Sequence, residues 1–348
     1  MSWTYERLPD PGPGLRLHLN ENTAGCSPRA IEALHRLTRE DAAFYPDYGR
    51  VTRAVAAHLG VDPARVLVTN GLDEGLHAAA LATLLRGEDG LAREAIVVEP
   101  AFDMYAASAG AVGGRVVAIP PRDDFAFPLE ELLAAVTART GIVYLASPNN
   151  PTGLAVPREA IGAVAAALPD QALLFLDEAY ADFADGHCLD LVEHLPNLVV
   201  GRTFAKAMGL AALRAGAVVA QEPAIDRLRR VVPPYSVNVA AAAATVAALE
   251  DTAYQAWYRS EVRASRELVY RMCERLGLQC WPSQANFVLV RVGDAAGDLV
   301  KALAERRIFI RDRSNQPGCR GCVRLTAGVV AHTARLVEAM EAVLCGGR

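Results

Sequence analysis

The sequence predicts an α/β domain built on a largely parallel sheet, joined through a long helical stretch to a smaller α+β domain. Three observations carry that expectation. Short runs of Val, Ile and Leu alternate with helix-like segments through the middle of the chain, the pattern of a parallel sheet covered by helices. Near Ala240 the alternation gives way to a long helical pattern. The 348 residues are enough for about two domains.

Along the chain, "LRLHLNEN" from Leu15 is an isolated extended segment, expected to pack on the second domain or on a partner. The runs "RVLV", "AIVV", "RVVAI", "GIVYLA", "ALLFL", "NLVV" and "AGAVVA" read as strands buried on both faces. Between two of them, Pro157 suits a first helical position, and Ile161, Val164, Ala165 and Leu168 follow a helical stripe. Residues 240–275 read as one long helical stretch. "ANFVLVRV", the helix "DLVKALAERR", "CVRLTAG" and a final helix then make up the smaller domain. The expected units are an arm over residues 1–30 that contributes to the small domain, a large domain over 31–245 and a small domain over 246–348.

Composition narrows the function classes. The net charge is −5, and the densest basic cluster, Arg227, Arg229 and Arg230, is interrupted by Leu228 as on an amphipathic helix surface. That is a poor footprint for nucleic acid. "MSWTYERLPDPGPGLR" lacks the basic-then-apolar order of a secretory leader. The apolar stretch Val237 to Leu249 is shorter than the ~20 residues that span a bilayer. Cys319 and Cys322 form one CxxC, but no second Cys or His pair stands nearby to complete a zinc site. The expectation is a cytoplasmic, metal-free protein with reduced thiols and no membrane partner.

Four polar clusters follow strand runs directly: "TNGLDEG", "SPNNPTG", "DEAY" and "RTFAK". Open α/β sheets bind ligands at that edge. Gly71 lets the backbone pass close to a ligand, while Leu72 and Asp73 begin a helix whose free N–H groups attract phosphate. Asn149 and Asn150 sit in a rigid turn. Asp177 follows four apolar residues, a costly place for a charge without a cationic partner. Tyr180 could share its side. Lys206, among small and apolar neighbours in "RTFAKAMGLAALRAG", has the setting of an amine nucleophile that bonds a carbonyl group. Together these point to a carbonyl cofactor bearing a phosphate, pyridoxal 5′-phosphate.

"SPNNPTG", "DEAYADF" and "RTFAKAMGLAALRAG", in that order, resemble the fold-type I pyridoxal-phosphate aminotransferases, and most of all the histidinol-phosphate aminotransferase branch. "LHLNEN", "FYPDYG", "TNGLDEG", "EPAFDMY" and "IRDRSNQPGCRGCVRLTAG" extend the likeness from Leu17 to Gly328. The resemblance implies a mixed, mostly parallel central sheet flanked by helices. It also implies that Lys206 bonds the cofactor's aldehyde, Asp177 pairs with its ring nitrogen, and Asn150 and Tyr180 bond its ring oxygen. Phe102 would stack on the ring. Gly71, Leu72, Asp73 and Arg214 would hold the phosphate, and Tyr45 would reach the phosphate in the neighbouring subunit of a homodimer. Asn22, Arg311 and Arg324 would meet substrate, Arg324 at a carboxylate and Arg311 at a distal phosphate.

The activity implied is transamination between an amino donor and a 2-oxo acid such as 2-oxoglutarate, within histidine biosynthesis if the donor is histidinol phosphate. That donor has no carboxylate, so it leaves Arg324 a weaker role than Arg311. At ~4 Å and an effective dielectric near 20, an ion pair between Asp177 and the ring nitrogen is worth about 4 kcal/mol, roughly three pKa units. Two departures bear on this reading. Ala205 stands where relatives carry a phosphate-binding Ser or Thr, and Thr23 and Ala24 follow "NEN" where many carry Pro and an aromatic. The second departure makes an aromatic or other specialised amino acid an alternative donor. Two further readings are a threonine-phosphate decarboxylase-like enzyme and an inactive cofactor-binding regulator. The joint presence of Lys206, Asp177, Asn150, Tyr180, Arg214 and Arg324 argues against the regulator.

Overall fold

A computed structural model of the chain describes residues 8–85 and 90–346. Residues 1–7, which begin the segment read for a leader, lie outside them. Seven strands form one sheet in the order Val66–Thr69, Gly216–Ala220, Leu198–Thr203, Leu173–Asp177, Thr140–Ala146, Glu94–Val98 and Arg115–Ile119. Gly216–Ala220 runs antiparallel to both its neighbours, and every other pairing is parallel. The sheet is therefore mixed and mostly parallel, and all seven expected runs are in it.

Thr140–Ala146 and Leu173–Asp177 are buried along their whole length. Their side chains alternate between two cores. Ile142, Tyr144 and Phe175 pack under the helix Leu72–Leu84. Val143, Leu145, Leu174 and Leu176 pack under Arg158–Ala167 and Val239–Glu250. "RVVAI" departs from the expectation of two buried faces. It is the sheet's edge, paired on one side, and much of it is exposed or half-buried.

Ile161, Val164 and Ala165 form the buried stripe of their helix, but Pro157 is the residue before its first turn, with an extended ψ of 132°. The stretch read as one helix over 240–275 is two, Val239–Glu250 and Thr252–Leu276. Asp251 breaks them. Its carboxylate accepts the Tyr254 N–H at 3.3 Å and the Ser27 hydroxyl at 2.5 Å, a capping role that apolar periodicity does not report.

A second sheet has four antiparallel strands, ordered Arg311–Asp312, Cys322–Thr326, Phe287–Arg291 and Gln279–Cys280. Its core joins Val288, Val290 and Val323 to Val269, Leu299, Leu303, Leu336 and Met340 of the covering helices. The segment "LRLHLNEN" packs here as expected. Leu15–Arg16 pairs in parallel with Ile308–Phe309, and the Leu17 carbonyl accepts the Thr326 N–H at 3.2 Å. Among the described residues no helix is long and apolar enough to cross a membrane.

Candidate active site

The four polar clusters converge. A cavity of ≈ 270 Å³ opens at the carboxyl ends of the strands, lined by Leu72, Asp73, Asn150, Asp177, Tyr180, Lys206 and Arg214 from the first sheet's loops. Arg311, Arg313 and Arg324 reach it from the second sheet, and Asn20 and Glu21 from the amino-terminal segment. This placement follows from topology: parallel strands deliver their following loops to one edge.

Asp177 ends its strand with 6 % of its surface exposed. Burial pushes its carboxyl up to about 6, while a hydrogen bond from Tyr105, the Ala179 N–H and the charge of Lys206 pull the other way. The Tyr105 hydroxyl donates to Asp177 Oδ2 at 2.7 Å, and the Ala179 N–H donates to Oδ1 at 2.9 Å. Tyr105 is a site residue that the sequence reading missed. Its signal was present, since it lies one helical turn beyond Phe102 in "EPAFDMY". The two rings meet edge to face at 5.8 Å, and both line the cavity.

Lys206 is half-buried, and its Nζ donates to the Leu19 carbonyl at 3.1 Å. The Tyr180 hydroxyl accepts from Asn20 Nδ2 at 3.0 Å, and its ring lies 5.8 Å from the Lys206 ammonium. Gly71 precedes the helix Leu72–Leu84 at φ 73°, and a Cβ there would lie 2.6 Å from Arg214 Nη2. The glycine is thus what lets Arg214 lie across the helix N-terminus. Arg214 Nη2 donates to Asp73 Oδ2 at 2.7 Å.

Arg311 and Arg324 are thirteen positions apart in sequence and directly opposite on paired antiparallel strands. Opposite residues share a face, so both guanidinium groups point the same way. Arg324 is buried. It donates through Nη1 to Asn150 Oδ1 at 2.5 Å and through Nη2 to the His18 carbonyl at 2.6 Å, and it lies 5.4 Å over the Phe287 ring. Arg313, also buried and also missed from sequence, donates to the same Asn150 oxygen at 3.5 Å. With Asn150 Oδ1 engaged by arginines, its amide nitrogen is left as the donor for a ligand.

Asn22, Thr23 and Tyr45 lie outside this chain's own cavity, as the expectation for Tyr45, a contact to the neighbouring subunit, allows. Asn22 is not in the cavity; its amide is used internally, donating to the Ala207 carbonyl and accepting the Ala24 N–H, each at 3.0 Å. Thr23 docks the arm rather than lining the cavity, its hydroxyl accepting the Val329 N–H at 2.8 Å. Tyr45 is 78 % exposed and stacks on Tyr235 at 4.3 Å, away from this chain's own cavity. Ala205 does line it. Among the described residues no group of three or more His, Cys, Asp and Glu is arranged to hold a metal ion.

A buried acid with a raised pKa, a half-buried amine and a glycine-opened helix N-terminus beside an arginine fit one ligand: a phosphorylated aldehyde with a basic ring nitrogen. Fold and site together define a fold-type I pyridoxal-phosphate enzyme. The chain belongs to the aminotransferase class I and II family, whose model matches residues 13–343. It is 40% identical over 337 residues to a histidinol-phosphate aminotransferase of Rhodospirillum centenum, covering 94% of this chain and 90% of that one. A Geobacillus enzyme of the same name is 34% identical over 336 residues, with 95% and 90% covered. Among solved structures, the histidinol-phosphate aminotransferase of Sinorhizobium meliloti in complex with pyridoxal-5′-phosphate superposes with a TM-score of 0.86 at 30% identity, over 96% of this chain and 92% of that one. The protein is thus a pyridoxal-phosphate-dependent aminotransferase acting between amino and 2-oxo compounds.

Proposed function

We propose that the amino donor is an amino-alcohol phosphate of the histidinol-phosphate type and that the acceptor is a 2-oxo acid such as 2-oxoglutarate. The observation that carries this reading is the convergence of Arg311, Arg313 and Arg324 on the side of the cavity away from the first sheet. Planar guanidinium groups suit phosphate and carboxylate oxygens, and a phosphate dianion draws on more than one of them. The names of the relatives support the same donor.

In this reading Lys206 Nζ holds the cofactor and, once the donor has replaced it, moves the proton at the donor's Cα. Pyridoxal 5′-phosphate, when bound, supplies the aldehyde that holds the donor's amino group and the electron-poor ring that makes its Cα–H acidic. Asp177, its carboxylate fixed by Tyr105 and the Ala179 N–H, would pair with the ring nitrogen and hold it protonated. Asn150 and Tyr180 would bond the ring oxygen, and Phe102 would stack on the ring. Gly71, Leu72, Asp73 and Arg214 receive the phosphate. Arg324 takes the carboxylate of the 2-oxo acid, and Arg311 the distal anion. We divide the chain into an arm over 1–30, a large unit over 31–245 and a small unit over 246–348.

Tyr45 we assign to the neighbouring subunit's cofactor phosphate in a homodimer. Support comes from its setting in an exposed aromatic patch with Phe44 and Tyr235, the kind of surface that pairing covers.

The donor is tested by mixing cofactor-loaded enzyme with single amino donors and no acceptor, following the cofactor's absorbance. The panel is histidinol phosphate, glutamate, phenylalanine, tyrosine and arginine. Conversion of the cofactor to its amino form by histidinol phosphate is expected. Silence with histidinol phosphate alongside conversion by phenylalanine or tyrosine would overturn the assignment in favour of an aromatic donor.

A further inference from the structure

Lys206, Asp177, Tyr180 and Phe102 stand on the first sheet and its loops, whereas Arg311, Arg313 and Arg324 reach the cavity from the second sheet. A ligand that touches both ends depends on how the two sheets are spaced at the cavity mouth. Arg313 and Arg324 cross the gap to Asn150, but a ligand would itself engage those groups. Gln316 also crosses, and it does not line the cavity.

Gln316 sits in the strap that joins Arg311–Asp312 to Cys322–Thr326. Its Nε2 donates to the Ala101 carbonyl at 3.1 Å and to Asp103 Oδ1 at 3.4 Å. These acceptors flank Phe102, and Phe102 and Asp103 both line the cavity. The other half of the amide is idle: Gln316 Oε1 is buried with no hydrogen-bond partner among the described residues. A buried orphan acceptor is destabilising, so what this side chain contributes is its donor end.

The strap is held in other ways as well. The Gln316 N–H donates to the Arg313 carbonyl and the Cys319 N–H to the Gln316 carbonyl, each at 3.0 Å. Arg291 Nη2 donates to the Gly318 carbonyl at 3.2 Å. Gly318, at φ 74°, packs so close to the loop after Arg115–Ile119 that a Cβ there would lie 2.9 Å from the Phe125 ring. None of these contacts uses the Gln316 side chain, so the strap keeps its shape when that side chain is changed.

We propose that Gln316 is a positioning residue that sets the spacing between Phe102 and the arginines, and through it the fit of substrates with an anionic end. The proposal rests on the arginine reading above. Gln316 is tied through its backbone to Arg313 and through its side chain to both neighbours of Phe102, so a change at its amide shifts one end of the clamp against the other. Each hydrogen bond of ordinary strength is worth roughly a factor of two to ten, and misplacement near 1 Å in a positioned site costs up to about a hundredfold. Donor and 2-oxo acid both place their anionic ends on these arginines, so the KM of each rises. Lys206 and Asp177 lie on the first sheet and keep their own bonds, so the rate at saturation changes less.

The test compares the cofactor-loaded wild type with Gln316→Met, Gln316→Lys and Arg311→Ala. KM and kcat are measured for 2-oxoglutarate and for the donor of the panel above that the wild type converts, together with the urea unfolding midpoint. Methionine keeps the length of the side chain and removes the donor and the orphan acceptor together. It is expected to raise both KM values about three- to tenfold with kcat within about twofold, and to leave the midpoint unchanged or higher. Lysine can donate to the Ala101 carbonyl and pair with Asp103, and is expected to bring both KM values back toward wild type. Unchanged KM values in Gln316→Met would overturn the proposal. So would a fall in kcat that matches the rise in KM, or a lowered midpoint without rescue by lysine, either of which marks a merely structural residue. Raised KM values in Arg311→Ala but not in Gln316→Met would sink the role of Gln316 alone, whereas unchanged values in Arg311→Ala would sink the arginine reading and the proposal with it.

Discussion

Asp177→Asn is expected to have opposite effects on the cofactor-free protein and on the enzyme. In the chain without cofactor, burial raises the Asp177 carboxyl from 3.8 to about 6. An acid whose folded pKa lies above its unfolded one is destabilising when ionised. The penalty is absent below the unfolded value and grows as pH rises through the folded one. The shift corresponds to about 3 kcal/mol by pH 7 and roughly half of that at pH 5. Asparagine can still accept from Tyr105 but carries no charge. Urea unfolding of the apo variant should therefore show a gain over wild type near 3 kcal/mol at pH 7 that shrinks by about half at pH 5. The bond from Tyr105, the repulsion of Asp73 and the attraction of Lys206 act on the Asp177 charge and are already contained in that net shift. The same variant, loaded with cofactor, should lose most of its turnover because the ring nitrogen is no longer held protonated. A variant less stable than wild type at both pH values would refute the burial argument, and a near-normal turnover would refute the role.

Tyr105→Phe removes a charge-assisted hydrogen bond worth about 1.5–3 kcal/mol, so Asp177 ionises at higher pH. The acid limb of the kcat profile should move up by about one to two units, and an unmoved limb would show Tyr105 to be packing alone. Arg324→Lys cannot reproduce the two bonds to Asn150 and His18, and steady-state kinetics should show kcat/KM for the 2-oxo acid down about ten- to a hundredfold. Ala205→Ser restores a hydroxyl at a cavity-lining position. Spectroscopic titration of the apo protein should find the cofactor bound about tenfold or more tightly, and equal affinity would mean that a backbone amide already fills that place.

The strands and the four strand-end clusters were legible because each rests on local chemistry: apolar runs, glycine and proline turns, and a lysine or aspartate out of place among small residues. What was not legible depends on register and on rotamers. Asn22 carries the right residue type in the right motif, yet its amide is spent on Ala207 and Ala24 while Asn20, two residues earlier, enters the cavity. Arg313 lies just past the two-residue strand Arg311–Asp312 and still shares the cavity with Arg311, and nothing in "IRDRSN" says where the strand ends. Asp251 shows the same limit in the helices. Its capping of Thr252–Leu276 is a tertiary contact with Ser27 as much as a local one.

The site's internal bonds also differ in how readily they give way to a ligand. The Asp73–Arg214 pair is 44% exposed on each side, and exposed pairs contribute only about 0–1 kcal/mol. A phosphate arriving at the helix N-terminus can therefore draw Arg214 away from Asp73 at little cost. The bonds around Asn150 and Asp177 are buried, and breaking those would leave charges without partners, which costs several kcal/mol. The phosphate end is adaptable, whereas the ring end and the substrate clamp are preset. Such a division would suit a ligand received first at its phosphate and then aligned against a carboxylate, amide and arginine that are already in position.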